Sequence, residues 1–167
     1  MVGVLTLNNI EILSAHIFTL KNGLAFDIYE VTNPLDRYRE AERWEKTLTD
    51  VRLALEDRLP LDDLIREKGQ SLYVEDYHSP VTKKVKVDNE ASDFFTVIEI
   101  SSATSVGLAY TLAKQIFSLG LNIRFAKVNS DEERLRGVFY VKDAGGQKIY
   151  EDDKVAEIRD QLMAAGQ

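Results

Sequence analysis

The segment RLRGVFYVKD, residues 134–143, carries residue types that can stack on nucleic-acid bases. Its Arg-Gly pair followed by Phe139-Tyr140-Val141 partly matches the strand on which RNA-recognition domains hold their aromatic rings. Side chains of a strand alternate between its two faces, so Phe139 and Tyr140 must point in opposite directions. Of the three positions that need rings for base stacking, only Tyr140 supplies one. The segment is therefore interpreted as a strand of a protein core.

The charge of the chain also argues against a nucleic-acid partner. The 167 residues carry a formal net charge of -7, and the sequence pI is near 4.9. Binding to a phosphate backbone relies on a basic surface that releases counterions. The composition therefore predicts that the chain does not bind nucleic acid.

No group of residues has the spacing of a catalytic or metal centre. The two histidines, His16 and His78, lie far apart, and cysteine is absent. Metal sites need clustered His, Cys or carboxylate ligands. The carboxylates at 40, 42, 45 and 50 alternate with Arg and Lys, which is typical of the charged outer face of a helix. We expect no catalytic residue, no metal and no cofactor in this chain.

The sequence contains no targeting segment that we can identify. The first 18 residues are apolar but interrupted by polar residues, and they lack a basic start. A membrane-spanning helix needs about 20 apolar residues in succession. The absence of cysteine favours a reducing compartment. We therefore expect a soluble, cytoplasmic protein without a membrane partner.

The loop SSATSVG, residues 101–107, is the stretch that suggests a ligand. It precedes a helical pattern, and the first N–H groups of a helix can hold a small carboxylate. Gly107 would let a ligand approach the backbone closely. A plain connection between a strand and a helix fits these residues equally well.

In the first half, the pattern predicts a helix end over 2–7, strands over 12–20 and 24–31, and a hairpin turn at Asn22-Gly23. A helix follows to residue 55, capped by Asn33 with Pro34 in its first turn, and its apolar stripe is expected to face a sheet.

In the second half, residues 68–92 are mixed and polar, and we interpret them as a linker with one short strand at 85–87. From residue 94 the pattern predicts a strand, a loop, a helix over 108–119 ended by Gly120, two strands, and a closing helix. A charged turn at 131–134 separates those two strands.

The two halves of the chain repeat each other. LTLNNIEILSAHIFT aligns with FSLGLNIRFAKVNS, and FDIYEV aligns with RGVFYV. We therefore predict an α+β fold with two ferredoxin-like βαββαβ units in tandem. The units span 1–67 and 93–167, and the first lacks its opening strand and most of its first helix. An incomplete unit leaves a sheet edge open, so we expect it to borrow a strand, to dimerise or to be poorly ordered there, and we expect the chain to be part of a longer protein.

At the level of motifs, each unit resembles an ACT domain, a small-molecule sensing module of amino-acid metabolism. The sequence pattern of ACT domains has an Asp-Arg-Pro-Gly-Leu loop before a helix and Leu-Asn-Ile at the start of the next strand. In this chain, Gly-Leu at 107–108 matches the end of that loop, and Leu-Asn-Ile at 121–123 matches the strand start. Thr-Ser-Val stands at 104–106, where the pattern has Asp-Arg-Pro. The effector-binding residues that the resemblance implies are Thr104, Ser105, Val106, Gly107, Leu108, Asn122 and Ile123. The ligand would lie between the loop of one unit and the Asn122 end of an adjoining unit.

Over nearly its whole length, the chain resembles the C-terminal region of the bacterial PII-protein uridylyltransferase/uridylyl-removing enzymes. The segments that carry this resemblance include GVLTLNNIEILSAHIFT, VDNEASDFFTVIEI and FSLGLNIRFAKV. The family implies a bifunctional enzyme of nitrogen signalling that uridylylates the PII protein when glutamine is scarce and reverses this when glutamine is plentiful. Its nucleotidyltransferase and phosphohydrolase domains would lie upstream.

The resemblance implies that this chain is the glutamine-sensing regulatory region rather than an enzyme. Its partners would be glutamine, the upstream catalytic domains, and a second copy joined through the sheets of the units or by strand exchange. The alternative is a module that pairs domains or protomers without a ligand.

Overall fold

The computed structural model describes residues 1–20, 22–32, 39–71, 81–131 and 133–165. Within them the chain forms both helices and strands. In order they are α1 (Val2–Leu7), β1 (Ile12–Thr19), β2 (Ala25–Val31), α2 (Glu40–Leu55), α3 (Leu61–Ser71), β3 (Lys84–Asp88), β4 (Thr96–Ala103), α4 (Leu108–Ser118), β5 (Asn122–Ser130), β6 (Arg134–Lys142) and α5 (Asp152–Ala164).

All of these strands belong to one antiparallel sheet with the order β2-β1-β5-β6-β4-β3. The second unit supplies β4, α4, β5, β6 and α5 in the predicted order. The first unit supplies α1, β1 and β2, which correspond to the end of α4 and to β5 and β6. The predicted fold class, α+β with ferredoxin-like units in tandem, is confirmed.

The two units join through β1 and β5, and the pairing follows the sequence repeat. Ala15 pairs with Val128, and Ile17 pairs with Ala126. The repeat aligns Ala15 with Ala126, and therefore Ile17 with Val128. A local two-fold axis that passes between His16 and Lys127 thus maps one of these two pairs onto the other. The repeat therefore sets the register in which the units meet.

In each repeat a helix ends in the same way before the strand begins, at Asn8-Asn9 in the first unit and at Gly120 in the second. Asn9 has φ 56° and Gly120 has φ 72°, the left-handed conformation that commonly terminates helices. The next residue, Ile10 or Leu121, donates its N–H to the carbonyl five positions earlier, at 3.0 and 3.3 Å respectively. The side chains of Ile10 and Leu121 are both buried. The residue that follows each helix end therefore packs in the interior, and the strand begins directly after it.

The main core lies between one face of the sheet and helices α4 and α5. It is formed largely by Ile98, Ile100, Leu112, Ile116, Ala126, Phe139, Val141, Ile158 and Leu162. Ala15, from the first unit, belongs to the same core, so the two units share one hydrophobic interior.

Gly137 stands where the first repeat has Asp27, and the packing of Phe139 explains why a glycine is found there. A Cβ at this position would lie 2.5 Å from the ring of Phe139, so only glycine lets that ring lie over β6. In the first unit the corresponding ring is Tyr29, whose hydroxyl donates to the carboxylate of Asp27 at 3.0 Å.

Helix α2 does not pack as the sequence suggested. Its predicted start at Asn33 and Pro34 lies outside the described residues. The expectation that its apolar stripe faces a sheet is wrong, because α2 packs against α1 and leaves Leu48 and Leu55 exposed. A helical apolar stripe shows that a helix is amphipathic, but it does not show which element lies opposite.

The segment between the units contains more structure than a linker. Helix α3 was not predicted, and it packs against α1 and runs to Ser71, inside the stretch read as linker. The short strand expected at 85–87 is β3, which pairs with β4 at the outer edge of the sheet. The residue limits proposed for the two units stay predictions.

No helix among the described residues is long and apolar enough to cross a membrane. The same part of the chain contains no group of three or more His, Cys, Asp or Glu residues placed to hold a metal ion.

Candidate functional site

A cavity of about 450 Å³ lies where the two units meet. On one side it is lined by the connection between α1 and β1, residues 9–12, and on the other by the loop and first turn at 104–109. Val128, Ser130 and Leu135 line it from the sheet, and Lys68 lines it from α3. Ligand sites commonly have volumes of about 300–1,000 Å³, so this cavity has the size of a small-molecule site.

The loop between β4 and α4 is shorter than predicted, because Ser101 to Ala103 belong to β4. Thr104 fixes its start, donating its N–H to the Glu133 carbonyl and its hydroxyl to the Asp131 carbonyl, each at 3.0 Å. At its end, the Leu108 N–H donates to the Ser105 carbonyl at 3.2 Å. The loop is therefore held at both ends.

The middle of this loop offers hydrogen-bond donors. The backbone N–H groups of Ser105, Val106 and Gly107 have no acceptor among the described residues. They precede the first turn of α4, whose N-terminus carries the partial positive charge of the helix dipole. Together these donors can hold a carboxylate.

Gly107 has a steric role that the sequence did not reveal. Its φ of 77° is left-handed, and a Cβ would lie 2.5 Å from Cγ2 of Ile65 in α3. Glycine is needed here so that α3 can pack against the loop. The close neighbour at the Cα of Gly107 is therefore the protein itself.

Glu11 brings a carboxylate to the opposite side of the cavity. Its backbone is fixed to Thr32: the Glu11 N–H donates to the Thr32 hydroxyl at 3.3 Å, and the Glu11 carbonyl accepts the Thr32 N–H at 2.9 Å. The side chain of Glu11 is exposed, so its charge is available to a bound cation.

Lys68 places a positive charge at the edge of the cavity. Its Nζ donates to the carbonyls of Thr6, at 2.5 Å, and Leu7, at 3.1 Å, and thereby binds the C-terminal end of α1. Burial lowers the pKa of Lys68 below its ordinary range, and the nearby charge of Lys46 lowers it further. Lys68 thus connects α3 to the wall of the cavity.

The structure separates the residues that the sequence grouped as one site. Thr104, Ser105, Val106, Gly107 and Leu108 line the cavity together. Asn122 and Ile123 lie at the other end of the β1–β5 pair. The Asn122 amide donates to the Asp143 carbonyl at 3.1 Å, and the Ile123 carbonyl accepts the Thr19 hydroxyl at 2.7 Å.

Sequence reasoning missed Asn9, Glu11 and Lys68. The repeat could have indicated that Glu11 lies at the site, since it aligns Glu11 with Asn122, which the ACT resemblance marks as effector-binding. Under the local two-fold axis, the loop of the second unit faces the strand start of the first unit rather than its own. Lys68 lies on the helix that the sequence analysis did not predict, so nothing indicated its position.

No protein-family model matches the chain, and no solved structure matches it. Curated relatives do match it over almost its whole length. The protein from Azospirillum brasilense is 32% identical over 169 residues, covering 99% of this chain and 18% of that protein. The protein from Rhodospirillum rubrum is 35% identical, covering 98% and 18%, and the one from Rhodopseudomonas palustris is 34% identical, covering 92% and 17%.

All three relatives bear the name bifunctional uridylyltransferase/uridylyl-removing enzyme. The chain is homologous, over nearly its whole length, to one segment of these enzymes. It spans less than a fifth of the length of the uridylyltransferase/uridylyl-removing enzymes it matches. The cavity and the shared sheet therefore lie in a chain that matches one segment of such enzymes.

Proposed function

We propose that this chain is the regulatory region of a cytoplasmic uridylyltransferase/uridylyl-removing enzyme, and that it senses glutamine through two ACT units. The observation that carries the proposal is the cavity at the junction of the units, because a ligand bound there touches both of them. The loop at 104–108, which the ACT resemblance marks as effector-binding, lines this cavity.

The groups around the cavity match the charges of a free amino acid. The N–H groups of Ser105, Val106 and Gly107 would receive the α-carboxylate, assisted by the N-terminus of α4. The carboxylate of Glu11 would receive the α-ammonium group. The hydroxyl of Ser130 can both donate and accept, as the side-chain amide of glutamine requires, and the Thr104 hydroxyl, which donates to the Asp131 carbonyl, can accept.

Binding at this position would couple the ligand to the arrangement of the units. A ligand that holds the loop of one unit against the strand start of the other favours one relative placement of the two. This preference would be transmitted to catalytic domains elsewhere in the parent enzyme, where uridylylation and its reversal would take place. In this scheme the chain supplies regulation and no reaction step, and it needs no cofactor.

Isothermal titration calorimetry of the 167-residue chain with glutamine tests the proposal. We expect one binding site per chain. Ser130→Phe would fill the cavity and abolish the heat of binding, whereas Asn122→Ala, at the far end of the β1–β5 pair, would leave it unchanged. Absence of heat with a folded wild-type chain, or loss of binding in the Asn122 variant alone, would contradict the proposal.

A second candidate is a module that pairs domains or protomers without a ligand. It is favoured by the loop sequence Thr-Ser-Val in place of Asp-Arg-Pro, and by Ile65 packing directly on Gly107. This candidate predicts no heat with glutamine or any other amino acid, together with self-association of the chain.

A further inference from the structure

Helix α3 lies at the junction of the two units and contacts both of them. It packs against α1 of the first unit, and its Asp62 accepts hydrogen bonds from α4 of the second unit. Lys68, near the end of α3, lines the cavity. The position of α3 therefore affects both walls of the cavity, which are the connection at 9–12 and the loop at 104–108.

The contact made by Ile65 fixes the loop. Its buried side chain packs on Gly107, the residue at which the loop joins α4. The same side chain reaches α1, because its Cδ1 lies 3.1 Å from the position that a Cβ on Gly3 would occupy. Ile65 thus lies between the two units, against the loop that carries the backbone donors at 105–107.

The contact made by Lys68 fixes the opposite wall. Its Nζ donates to the carbonyls of the last two residues of α1, Thr6 and Leu7. The connection at 9–12, which carries Glu11, follows directly after this helix end. Lys68 therefore helps to set the position of Glu11 relative to the loop.

The contact made by Asp62 lies outside the cavity, on the surface. Its carboxylate accepts hydrogen bonds from Lys114 Nζ at 2.5 Å and from the Tyr110 hydroxyl at 2.9 Å. The bond from Lys114, and after it the bond from Tyr110, lowers the pKa of Asp62 below its ordinary value of 3.8. The carboxylate is therefore ionised at neutral pH, and it binds α3 to α4 without lining the cavity.

We propose that α3 is the element that responds to ligand binding, because a ligand in the cavity and α3 hold the same two walls together. This proposal rests on the proposed function, since it requires a ligand that contacts both walls. With α3 packed on Gly107, the arrangement that we call seated, the cavity of about 450 Å³ has the size of a small-molecule site. Such a ligand therefore binds the seated arrangement better than a released one, in which α3 has left Gly107, and it stabilises α3 in place.

The coupling is reciprocal, because binding free energies that link two events act equally in both directions. If glutamine stabilises seated α3, the contacts that seat α3 strengthen glutamine binding. Ile65 and Asp62 are then positioning residues for the ligand, although neither lines the cavity. A ligand with equal affinity for the seated and released arrangements would leave α3 unchanged.

Hydrogen–deuterium exchange of the 167-residue chain, with and without glutamine, tests the proposal. Without glutamine, we expect the amides of α3 to exchange faster than those of α5, because α3 is released without unfolding of the main core. Glutamine at about 100 times its Kd should slow exchange at 61–71 at least about tenfold, and the upper limit at this concentration is about 100-fold. Exchange at 9–12 and 104–108 should slow as well, because the ligand contacts these segments.

A charge reversal on α3 tests whether the contact with α4 seats the helix. Asp62→Lys would place two cations side by side at Lys114, and we expect exchange at 61–71 without glutamine to become roughly fivefold faster. Combining it with Lys114→Asp should restore the wild-type rate. Asp63→Lys is the matched control: it makes the same charge change on the same helix, but Asp63 pairs with Arg66 of α3 itself.

Four outcomes would overturn the proposal. They are exchange of α3 at the same rate as α5, an α3 that glutamine does not slow although it slows 9–12 and 104–108, a double variant that exchanges as fast as Asp62→Lys alone, and an Asp63→Lys variant that exchanges equally fast. The second outcome would leave glutamine binding intact. Glutamine that slows no amide would instead contradict the proposed function, and this inference with it.

Discussion

At the residue scale, two glycines show how one backbone conformation can serve different purposes. Gly107 and Gly120 both have a left-handed φ, 77° and 72°. At Gly120 the space beyond the Cα is open, whereas at Gly107 it is filled by Ile65. A side chain at Gly107 therefore meets strain and a steric clash, while one at Gly120 meets strain alone.

We predict that Gly107→Ala destabilises the fold more than Gly120→Ala. The left-handed conformation costs an alanine about 1 kcal/mol at either position, and the contact with Ile65 should add about 1–3 kcal/mol at Gly107. Urea denaturation of both variants measures the difference. Equal losses of unfolding free energy would show that α3 does not pack on the loop as described.

Asp50 is the residue whose environment differs most from its sequence interpretation. It was read as part of a charged outer helix face, but it is 8% exposed. It accepts hydrogen bonds from Lys46 Nζ at 2.5 Å and Asn8 Nδ2 at 2.8 Å. Burial raises its pKa, but the bonds from Lys46 and Asn8 outweigh this, and the pKa falls below its ordinary value of 3.8.

Because the pKa of Asp50 is lowered, we predict that its contribution to the free energy of unfolding depends on pH. Because the folded state favours the ionised carboxylate, its contribution to stability is present above pH 3.8 and is lost as the pH falls through the lower folded pKa. Asp50→Asn should cost about 1–3 kcal/mol at neutral pH, and the cost should shrink in strong acid. Denaturation curves at both pH values measure it.

Asp63→Asn is the matched control for that experiment. Asp63 pairs with Arg66 at 2.6 Å on the exposed surface of α3, and such pairs contribute about 0–1 kcal/mol. If both variants lose the same unfolding free energy at neutral pH, the buried cluster around Asp50 does not fix α2 to α1.

At the scale of elements, the sequence predicted strands better than helix contacts. The alternating patterns located β1, β2, β5 and β6 within a few residues, because each strand has one face in the core and ends at a turn. Helix α3 was missed because its apolar positions are few: Leu61, Leu64 and Ile65, followed by polar residues. Its packing on α1 and Gly107 depends on tertiary contacts that no local pattern contains.

Helix α3 should nonetheless be important for stability. Ile65 is 6% exposed, and a Cβ at Gly3 or Gly107 would meet its side chain. We predict that Ile65→Ala costs about 2–4 kcal/mol, because it leaves a cavity where three segments meet. Leu55→Ala is the control, since Leu55 is 83% exposed and should lose less than about 0.5 kcal/mol. Chemical denaturation compares them, and similar losses would contradict the described position of α3.

At the scale of the whole molecule, the repeat predicted the fold class but not the site. The two units share one sheet because β1 pairs with β5, more than 100 residues away in sequence. That pairing brings the loop at 104–108 to Glu11 and leaves Asn122 at the opposite end. The motifs predicted a ligand between the loop of one unit and the strand start of another, but they pointed to Asn122, because Glu11 stands where the motif has asparagine in the first unit.

If glutamine binds in the cavity between the units, a nitrogen-15 NMR titration of the chain with glutamine will report its position residue by residue. We expect saturable shifts of the backbone amides at 9–12 and 104–108, with little change at Asn122 and Ile123. Shifts centred on Asn122 and Ile123, or no shift at any glutamine concentration, would contradict it.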